Sequence, residues 1–231
     1  MKRPASRARP APVKTAAPAG GLRSGLRVGL FGGSFNPAHE GHLHVSLEAI
    51  KRLGLDELWW LVSPQNPLKP TRGMAPFEQR LAAARRLARH PAIRVSDCER
   101  RWHSHYSADT IERLRRRHPR HRFVWVMGAD NLADFERWRR WQDIFKALPI
   151  AIFDRRTYAQ SASASKPLKR FGRYRLPERA ARLLALQYPP VWTYFHGRLH
   201  AASSSAIRAG AADPRNENSA AGRNNERGDG R

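Results

Sequence analysis

Short apolar runs alternate with helix-periodic stretches along most of the 231 residues of this chain. The apolar runs predict β-strands at residues 27–31, 57–62, 93–96, 123–127, 150–153 and 191–195. The stretches between them predict helices at residues 41–53, 76–89, 107–117, about 131–148 and 177–186. Alternation of this kind is typical of βαβ units. We therefore expect an α/β fold in a single domain: a doubly wound, mostly parallel sheet with helices on both faces.

The two ends of the chain differ in composition from the region between them. Residues 1–25 are rich in Ala, Pro, Arg and Gly and show no periodicity, so we expect a disordered, basic N-terminal extension. Residues 209–231 contain almost no large apolar side chain, and we expect a flexible C-terminal tail there. The folded domain is therefore predicted to span residues 26–208.

The formal net charge of +24 indicates a surface that attracts anions. Two interpretations are open: arginine-rich helix faces in contact with solvent, which we favour, and a nucleic-acid-binding surface. No apolar run reaches the length of about 18 residues that a transmembrane helix needs. Neither a secretory signal pattern nor a second cysteine beside Cys98 is present, so we expect a reducing, cytoplasmic location.

Residues 32–42 connect the first predicted strand to the first predicted helix. Gly32 and Gly33 permit a tight turn in which backbone amides approach an anion closely. His39 and His42 lie three residues apart where the helix begins, so they share one face at the end of the helix that favours negative charge. The segment matches neither the dinucleotide nor the Walker fingerprint, and no third metal ligand accompanies the histidines. It predicts a phosphate site equipped for chemistry.

A second candidate phosphate-binding segment is Ser203-Ser204-Ser205-Ala206-Ile207-Arg208. Hydroxyls and amides at a helix start, together with a guanidinium, suit terminal phosphates, although a simple helix cap is the alternative. The residues Gly128-Ala129-Asp130 follow another predicted strand. Because the carboxyl ends of parallel strands meet at one edge of a sheet, this segment is expected to border the same crevice.

Three further patterns have both a structural and a functional interpretation. The aromatic residues Phe135, Trp138, Trp141 and Phe145 have helical spacing typical of a core, but Trp138 could stack on a flat ring. Lys69, in a proline-rich loop, is either a surface residue or a cation that reaches a phosphate. The segment Tyr106-Ser107-Ala108-Asp109-Thr110 has the composition of a helix cap.

Together these segments resemble the nucleotidylyltransferases, whose signature is similar to residues 31–42. Four further segments narrow the resemblance to bacterial nicotinate-nucleotide adenylyltransferases. They are the proline-rich loop, residues 106–110, residues 128–132 with the aromatic residues that follow, and residues 203–208. The resemblance covers roughly residues 26–208. Asn36 stands where many members carry Asp, and Ser107 and Ser205 stand where Thr is common. Each of these residues keeps a hydrogen-bonding group.

The resemblance implies a Rossmann-like enzyme of NAD biosynthesis that transfers AMP from ATP to nicotinate mononucleotide by direct in-line attack, releasing pyrophosphate. It implies that His39, His42 and Arg208 are catalytic, with phosphate charge favouring the imidazolium form of the histidines. The implied ATP-binding residues are Gly32, Gly33, Ser34, Phe35, Lys69, Gly128, Asp130, Ser203 and Ser204. The implied nicotinate-mononucleotide-binding residues are Tyr106, Ser107 and Trp138. Mg²⁺ would be carried by the ATP phosphates, with no metal site formed by the protein alone.

The nearest alternative keeps the fold and changes the acceptor to nicotinamide mononucleotide or phosphopantetheine. A more distant alternative is a basic nucleic-acid-binding protein. The expected partners are ATP and nicotinate mononucleotide, with no obligate nucleic acid and no membrane. The sequence leaves the oligomeric state and the preference for the acid over the amide open.

Overall fold

The structure, a computed structural model, describes residues 25–65, 72–154 and 165–196. Several predictions fall outside these ranges. They are the N-terminal extension up to residue 24, Lys69, the segment containing Ser203, Ser204 and Arg208, and the C-terminal tail at 209–231.

Six strands form one parallel sheet. They are Arg27–Gly33 (β1), Glu57–Val62 (β2), Ile93–Ser96 (β3), Arg122–Gly128 (β4), Ile150–Phe153 (β5) and Trp192–Phe195 (β6). Their order is β3-β2-β1-β4-β5-β6, and every neighbouring pair is parallel. All six predicted strands are therefore confirmed, and the described sheet is parallel throughout.

Helical elements connect the strands. The α-helices are Glu40–Leu53 (α1), Phe77–Leu87 (α2), Cys98–Arg101 (α3), Ser107–Arg117 (α4), Leu132–Phe135 (α5), Trp141–Ala147 (α6) and Lys166–Arg170 (α7). Segments of 3₁₀-helix occupy Ala129–Asn131, Gly172–Tyr174 and Glu178–Leu186. None of the described helices is long and apolar enough to cross a membrane.

A separate hydrophobic core covers each face of the sheet. Helices α1 and α2 pack on one face together with the 3₁₀-helix at Glu178–Leu186, through side chains such as Val45, Leu81 and Leu184. Helices α4, α6 and α7 pack on the other face, through side chains such as Ile111 and Phe145. The predicted doubly wound α/β architecture, with helices on both faces, is confirmed.

The prediction of one helix over residues 131–148 is wrong. The segment contains α5 and α6, separated by residues 136–140, and Arg140 adopts a left-handed backbone with φ of +56°. The aromatic spacing is equally compatible with two short helices, because Phe135 and Phe145 reach the same core from either side of the turn. The predicted helix at 177–186 is a 3₁₀-helix, which retains the expected amphipathic burial of Ala181 and Leu184.

The direction of the strand order reverses at β1. From β1 the chain proceeds outward through β2 and β3, and it then returns to the other side of β1 as β4. In open α/β sheets the crevice beyond the carboxyl ends of two such strands is the usual place for a ligand. The segments that follow β1 and β4 are therefore the first place to look for a site.

Candidate active site

The end of β1 and the loop after it are closely packed. The predicted tight turn at Gly32 and Gly33 is wrong, because both residues are the last of β1 and pair in parallel with β2; the chain turns at Asn36 and Pro37 instead. A Cβ atom on Gly32 would lie 2.8 Å from Cη2 of Trp125, and one on Gly33 would lie 3.3 Å from the ring of Phe35. Phe35, with φ of +47°, is only 2% exposed and stacks on Trp60 with ring centroids 4.9 Å apart. The Phe35 side chain therefore belongs to the core, and only the backbone of this residue is available for the predicted ATP contact.

Two histidines cap the helix that follows. Nδ1 of His39 accepts a hydrogen bond from the Gly41 amide at 3.1 Å, and Nδ1 of His42 accepts one from the His39 amide at 3.2 Å. The arrangement is a capping box made of imidazoles, with ring centroids 3.9 Å apart. Because both Nδ1 atoms accept, each neutral ring carries its proton on Nε2.

In this geometry each Nδ1 accepts a backbone N–H through its lone pair, and the imidazolium form expected beside a bound phosphate stays a prediction. Protonation of Nδ1 would replace the acceptor of a backbone N–H with a second donor, and α1 would lose that cap. A neutral ring still offers an Nε2–H donor to a phosphate oxygen. His39 and His42 therefore both fix the start of α1, and their action on phosphate oxygens stays a prediction.

The segment after β4 lies beside this loop, because β1 and β4 are adjacent. Gly128 ends β4, and Asp130 is half-buried in the 3₁₀ turn Ala129–Asn131. The structure thus brings six predicted ATP-binding residues, Asp130 and five others, to one edge of the sheet, at the point where the strand order reverses. The five are Gly32, Gly33, Ser34, Phe35 and Gly128.

Two arginines connect the segments that contain the predicted pyridine-binding residues. Tyr106 and Ser107 begin α4, and Trp138 packs beside Phe135 with ring centroids 4.9 Å apart. The Arg139 guanidinium lies 4.7 Å from the centre of the Tyr106 ring, which joins the two segments. Arg140 contacts Asp109 of α4 at 3.1 Å and Asp143 of α6 at 2.9 Å.

A buried carboxyl supports the start of α4. Glu99 is 6% exposed and accepts a hydrogen bond from Thr110 Oγ1 at 3.1 Å. Thr110 Oγ1 also lies 2.8 Å from Ser104 Oγ, and the Thr110 amide donates to the Tyr106 carbonyl. Burial raises the pKa of Glu99 to about 7. Sequence reasoning missed this residue, since an isolated Glu after Cys98 gives no signal of its burial.

Arg80 of α2 is a second residue that sequence reasoning missed. It is 2% exposed, and its guanidinium donates to the carbonyls of Ser34, Ser63, Pro64 and Ala75 at 2.6 to 3.0 Å. These carbonyls belong to the loop after β1, the loop after β2 and the start of α2. Arg80 therefore connects three segments around the candidate site.

Within residues 25–65, 72–154 and 165–196, no group of three or more His, Cys, Asp and Glu side chains could hold a metal ion. Cys98 is buried, and burial raises the pKa of its thiol, which favours the less reactive protonated form.

A short loop and a histidine-capped helix at the switch point of a parallel sheet are typical of nucleotide-binding α/β proteins. The family model described as Cytidylyltransferase-like matches residues 30–210. The chain belongs to this family.

Curated relatives show which members of this family the chain is similar to. A probable nicotinate-nucleotide adenylyltransferase from Caulobacter sp. is 50% identical over 183 residues, which cover 79% of this chain and 97% of the relative. A protein of the same name from Methylorubrum extorquens is 48% identical, covering 79% of this chain and 99% of its own length. A third, from Brucella abortus, is 49% identical with 79% and 94% covered. The resemblance to nicotinate-nucleotide adenylyltransferases is confirmed.

Solved structures support the fold. Nicotinic acid mononucleotide adenylyltransferase of Plasmodium falciparum, complexed with NaAD, superposes with a TM-score of 0.60. It is 18% identical, and the match covers 80% of this chain and 83% of that chain. The same protein complexed with APC gives a TM-score of 0.58. At this identity the likeness establishes the shared Rossmann-like architecture alone.

Proposed function

We propose that the protein transfers AMP from ATP to nicotinate mononucleotide, giving deamido-NAD and pyrophosphate in NAD biosynthesis. The observation that carries the proposal is the His39–His42 capping box, where the loop after β1 leads into α1 at the carboxyl edge of the sheet. The box fixes a helix N-terminus, where a triphosphate is favoured, and the two imidazoles are proposed to donate to the phosphate oxygens there. The names of the curated relatives support nicotinate mononucleotide as the acceptor.

The reaction joins two anions, so positioning and charge neutralisation are the main tasks of the protein. In the proposed step, a phosphate oxygen of the mononucleotide attacks the α-phosphorus of ATP, and the bond to the pyrophosphate leaving group breaks. His42 would donate to the α-phosphoryl oxygens as charge develops on them, and His39 would hold a neighbouring phosphate oxygen. No covalent enzyme intermediate is required.

The remaining ATP contacts are proposed from the resemblance. Ser203, Ser204 and Arg208 would hold the β- and γ-phosphates that leave, and Lys69 would reach a phosphate from its loop. Asp130 and Gly128 would face the adenosine. Family membership supports use of a divalent metal ion, and we propose Mg²⁺, which enters with ATP as the substrate complex.

Tyr106, Ser107 and Trp138 are proposed to line the pyridine pocket, with Trp138 stacking on the ring and amides near Ser107 meeting the carboxylate. The proposed location is the cytoplasm. No observation on the described residues favours an obligate nucleic-acid or membrane partner.

The acceptor is tested by pyrophosphate release from ATP with nicotinate mononucleotide, nicotinamide mononucleotide and phosphopantetheine measured side by side. We expect the highest kcat/KM with nicotinate mononucleotide. A higher value with phosphopantetheine would overturn the acceptor while leaving the fold and family intact. If none of the three acceptors leads to release of pyrophosphate, the proposed reaction is wrong.

Replacement of Trp138 by Ala separates its proposed role from core packing. Loss of a stacking contact is worth about 1–3 kcal/mol, so KM for nicotinate mononucleotide should rise by roughly 5- to 150-fold, with a much smaller change for ATP. Trp59→Ala is the matched control, because Trp59 is also half-buried against the same core. It should lower the unfolding temperature without this selectivity. Equal effects of Trp138→Ala on both substrates would assign Trp138 to the core.

A further inference from the structure

Arg80 is buried among backbone carbonyls. No carboxylate contacts it among the residues that the structure describes, and the neighbouring stretch 66–71 contains no Asp or Glu. Burial lowers the pKa of its guanidinium, but an arginine remains charged at neutral pH. Burying such a charge is costly, and an apolar side chain of similar volume would fill the same space more cheaply.

The guanidinium has a geometric advantage that an apolar side chain lacks. Its planar fork supplies five N–H donors in fixed directions. Nη1 donates to Ser34 at 2.6 Å and to Ser63 at 2.8 Å, so one nitrogen joins the loops that follow β1 and β2. Nη2 donates to Pro64 at 2.7 Å, at the start of the proline-rich loop. The fork therefore sets the distance between two loops at the candidate phosphate site.

The bond to Ser34 also orients a backbone dipole. In a trans peptide the carbonyl and the following N–H point in opposite directions. Because the Ser34 carbonyl points to Arg80, the Phe35 N–H points away from Arg80. The Phe35 N–H and the positive charge of Arg80 therefore both favour an anion on the side of the loop that faces away from Arg80.

Asn36, two residues after Ser34, also connects the loop after β1 to the segment that precedes α2. Its Nδ2 donates to the Gly73 carbonyl at 3.0 Å, and its Oδ1 accepts from the Ala75 amide at 3.1 Å. An aspartate could supply only the acceptor. Together, Arg80 and Asn36 fix residues 34–36 against the chain segment that leads into α2.

We propose that Arg80 is a positioning residue for ATP: from beneath the loop after β1, it holds the phosphate-binding backbone in place and adds a positive charge behind it. The inference rests on the proposed function, because it assumes that this loop binds a triphosphate. In this proposal Arg80 contacts neither substrate directly, and through the loop it affects the binding of ATP only.

The test compares Arg80→Met, Arg80→Lys and Arg27→Met. Arg27 is the control because it also connects two segments, β1 and the residue before β2, through Asp56 at 2.9 Å, but at the opposite, amino-terminal edge of the sheet. KM and kcat are measured for ATP and for nicotinate mononucleotide, together with the unfolding temperature. Binding of a nonhydrolysable ATP analogue is measured separately by titration calorimetry, without acceptor.

In Arg80→Met we expect KM and Kd for the ATP ligand to rise about tenfold or more, while KM for nicotinate mononucleotide changes less than about threefold. Arg80→Lys, which keeps the charge and loses the fork, should be intermediate. Arg27→Met should lower the unfolding temperature and leave both KM values unchanged. Equal increases for both substrates, or an unchanged Kd in folded Arg80→Lys and Arg80→Met, would overturn the proposal.

The calorimetric arm separates this inference from the proposed function. If the acceptor assay fails but the analogue still binds more weakly to the Arg80 variants, the positioning role stands and the reaction is wrong. If turnover is as proposed and the variants bind the analogue normally, the reaction stands and the role of Arg80 is wrong. Should Arg80→Met fail to fold, Arg80→Lys decides the result.

Discussion

His42→Ala is expected to lower kcat for adenylyl transfer by about 100-fold or more, which corresponds to roughly 3 kcal/mol of transition-state stabilisation. The reason is that the Nε2–H donor of His42 is proposed to act on the α-phosphoryl group where charge develops. The measurement is steady-state pyrophosphate release at saturating ATP and acceptor. A loss of less than about tenfold would show that His42 has no transition-state role.

His42→Gln is the control that the capping geometry makes available. Glutamine suits this capping-box position and can still accept from the His39 amide. It should preserve α1 and thermal stability but stay at least about tenfold less active than the unmodified protein, because an amide held by the His39 N–H does not place its own N–H groups where the imidazole Nε2–H lies. Recovery of activity in His42→Gln would instead assign the effect of His42→Ala to the helix cap.

Relative to the unmodified protein, Glu99→Gln is expected to be more stable at pH 8 than at acid pH. The pKa of Glu99 is raised by burial from its ordinary value of 4.5 to about 7, so the folded state holds its proton more tightly than the unfolded state. The stability that this proton provides is complete below pH 4.5 and is lost as pH rises to 7. The shift corresponds to about 3 kcal/mol, and a neutral amide does not undergo this loss.

The measurement is the free energy of unfolding in urea at pH 5 and pH 8. The difference between Glu99→Gln and the unmodified protein should move in favour of the variant by up to about 3 kcal/mol as pH rises. Glu112→Gln, an exposed carboxylate on α4, is the matched control and should show no such trend. A pH-independent difference for Glu99→Gln would contradict the buried, proton-holding carboxyl.

The sequence was sufficient for those features that local patterns encode. Each strand is a short apolar run, and the two histidines stand at a helix start that their own side chains cap. Because these signals depend on neighbouring residues, the sheet and the core of the candidate site could be predicted. The break between α5 and α6 at Arg140 could not be predicted, since the aromatic spacing around it fits one helix or two.

The supporting residues depend on contacts that no local pattern encodes. Arg80 meets a carbonyl 46 positions away, and Arg140 meets a carboxylate 31 positions away. Glu99 and Arg80 look like ordinary surface residues of charged helices until the fold buries them. What the sequence did not reveal was therefore the support beneath the site, where long-range packing decides the environment of each charge.

The most direct test of the account is a crystal structure with a nonhydrolysable ATP analogue and Mg²⁺. The account predicts that the triphosphate lies against residues 32–42, with His39 and His42 Nε2 within hydrogen-bond distance of phosphate oxygens, beside the segment that follows β4. A triphosphate bound away from the carboxyl edge of β1 and β4 would contradict it.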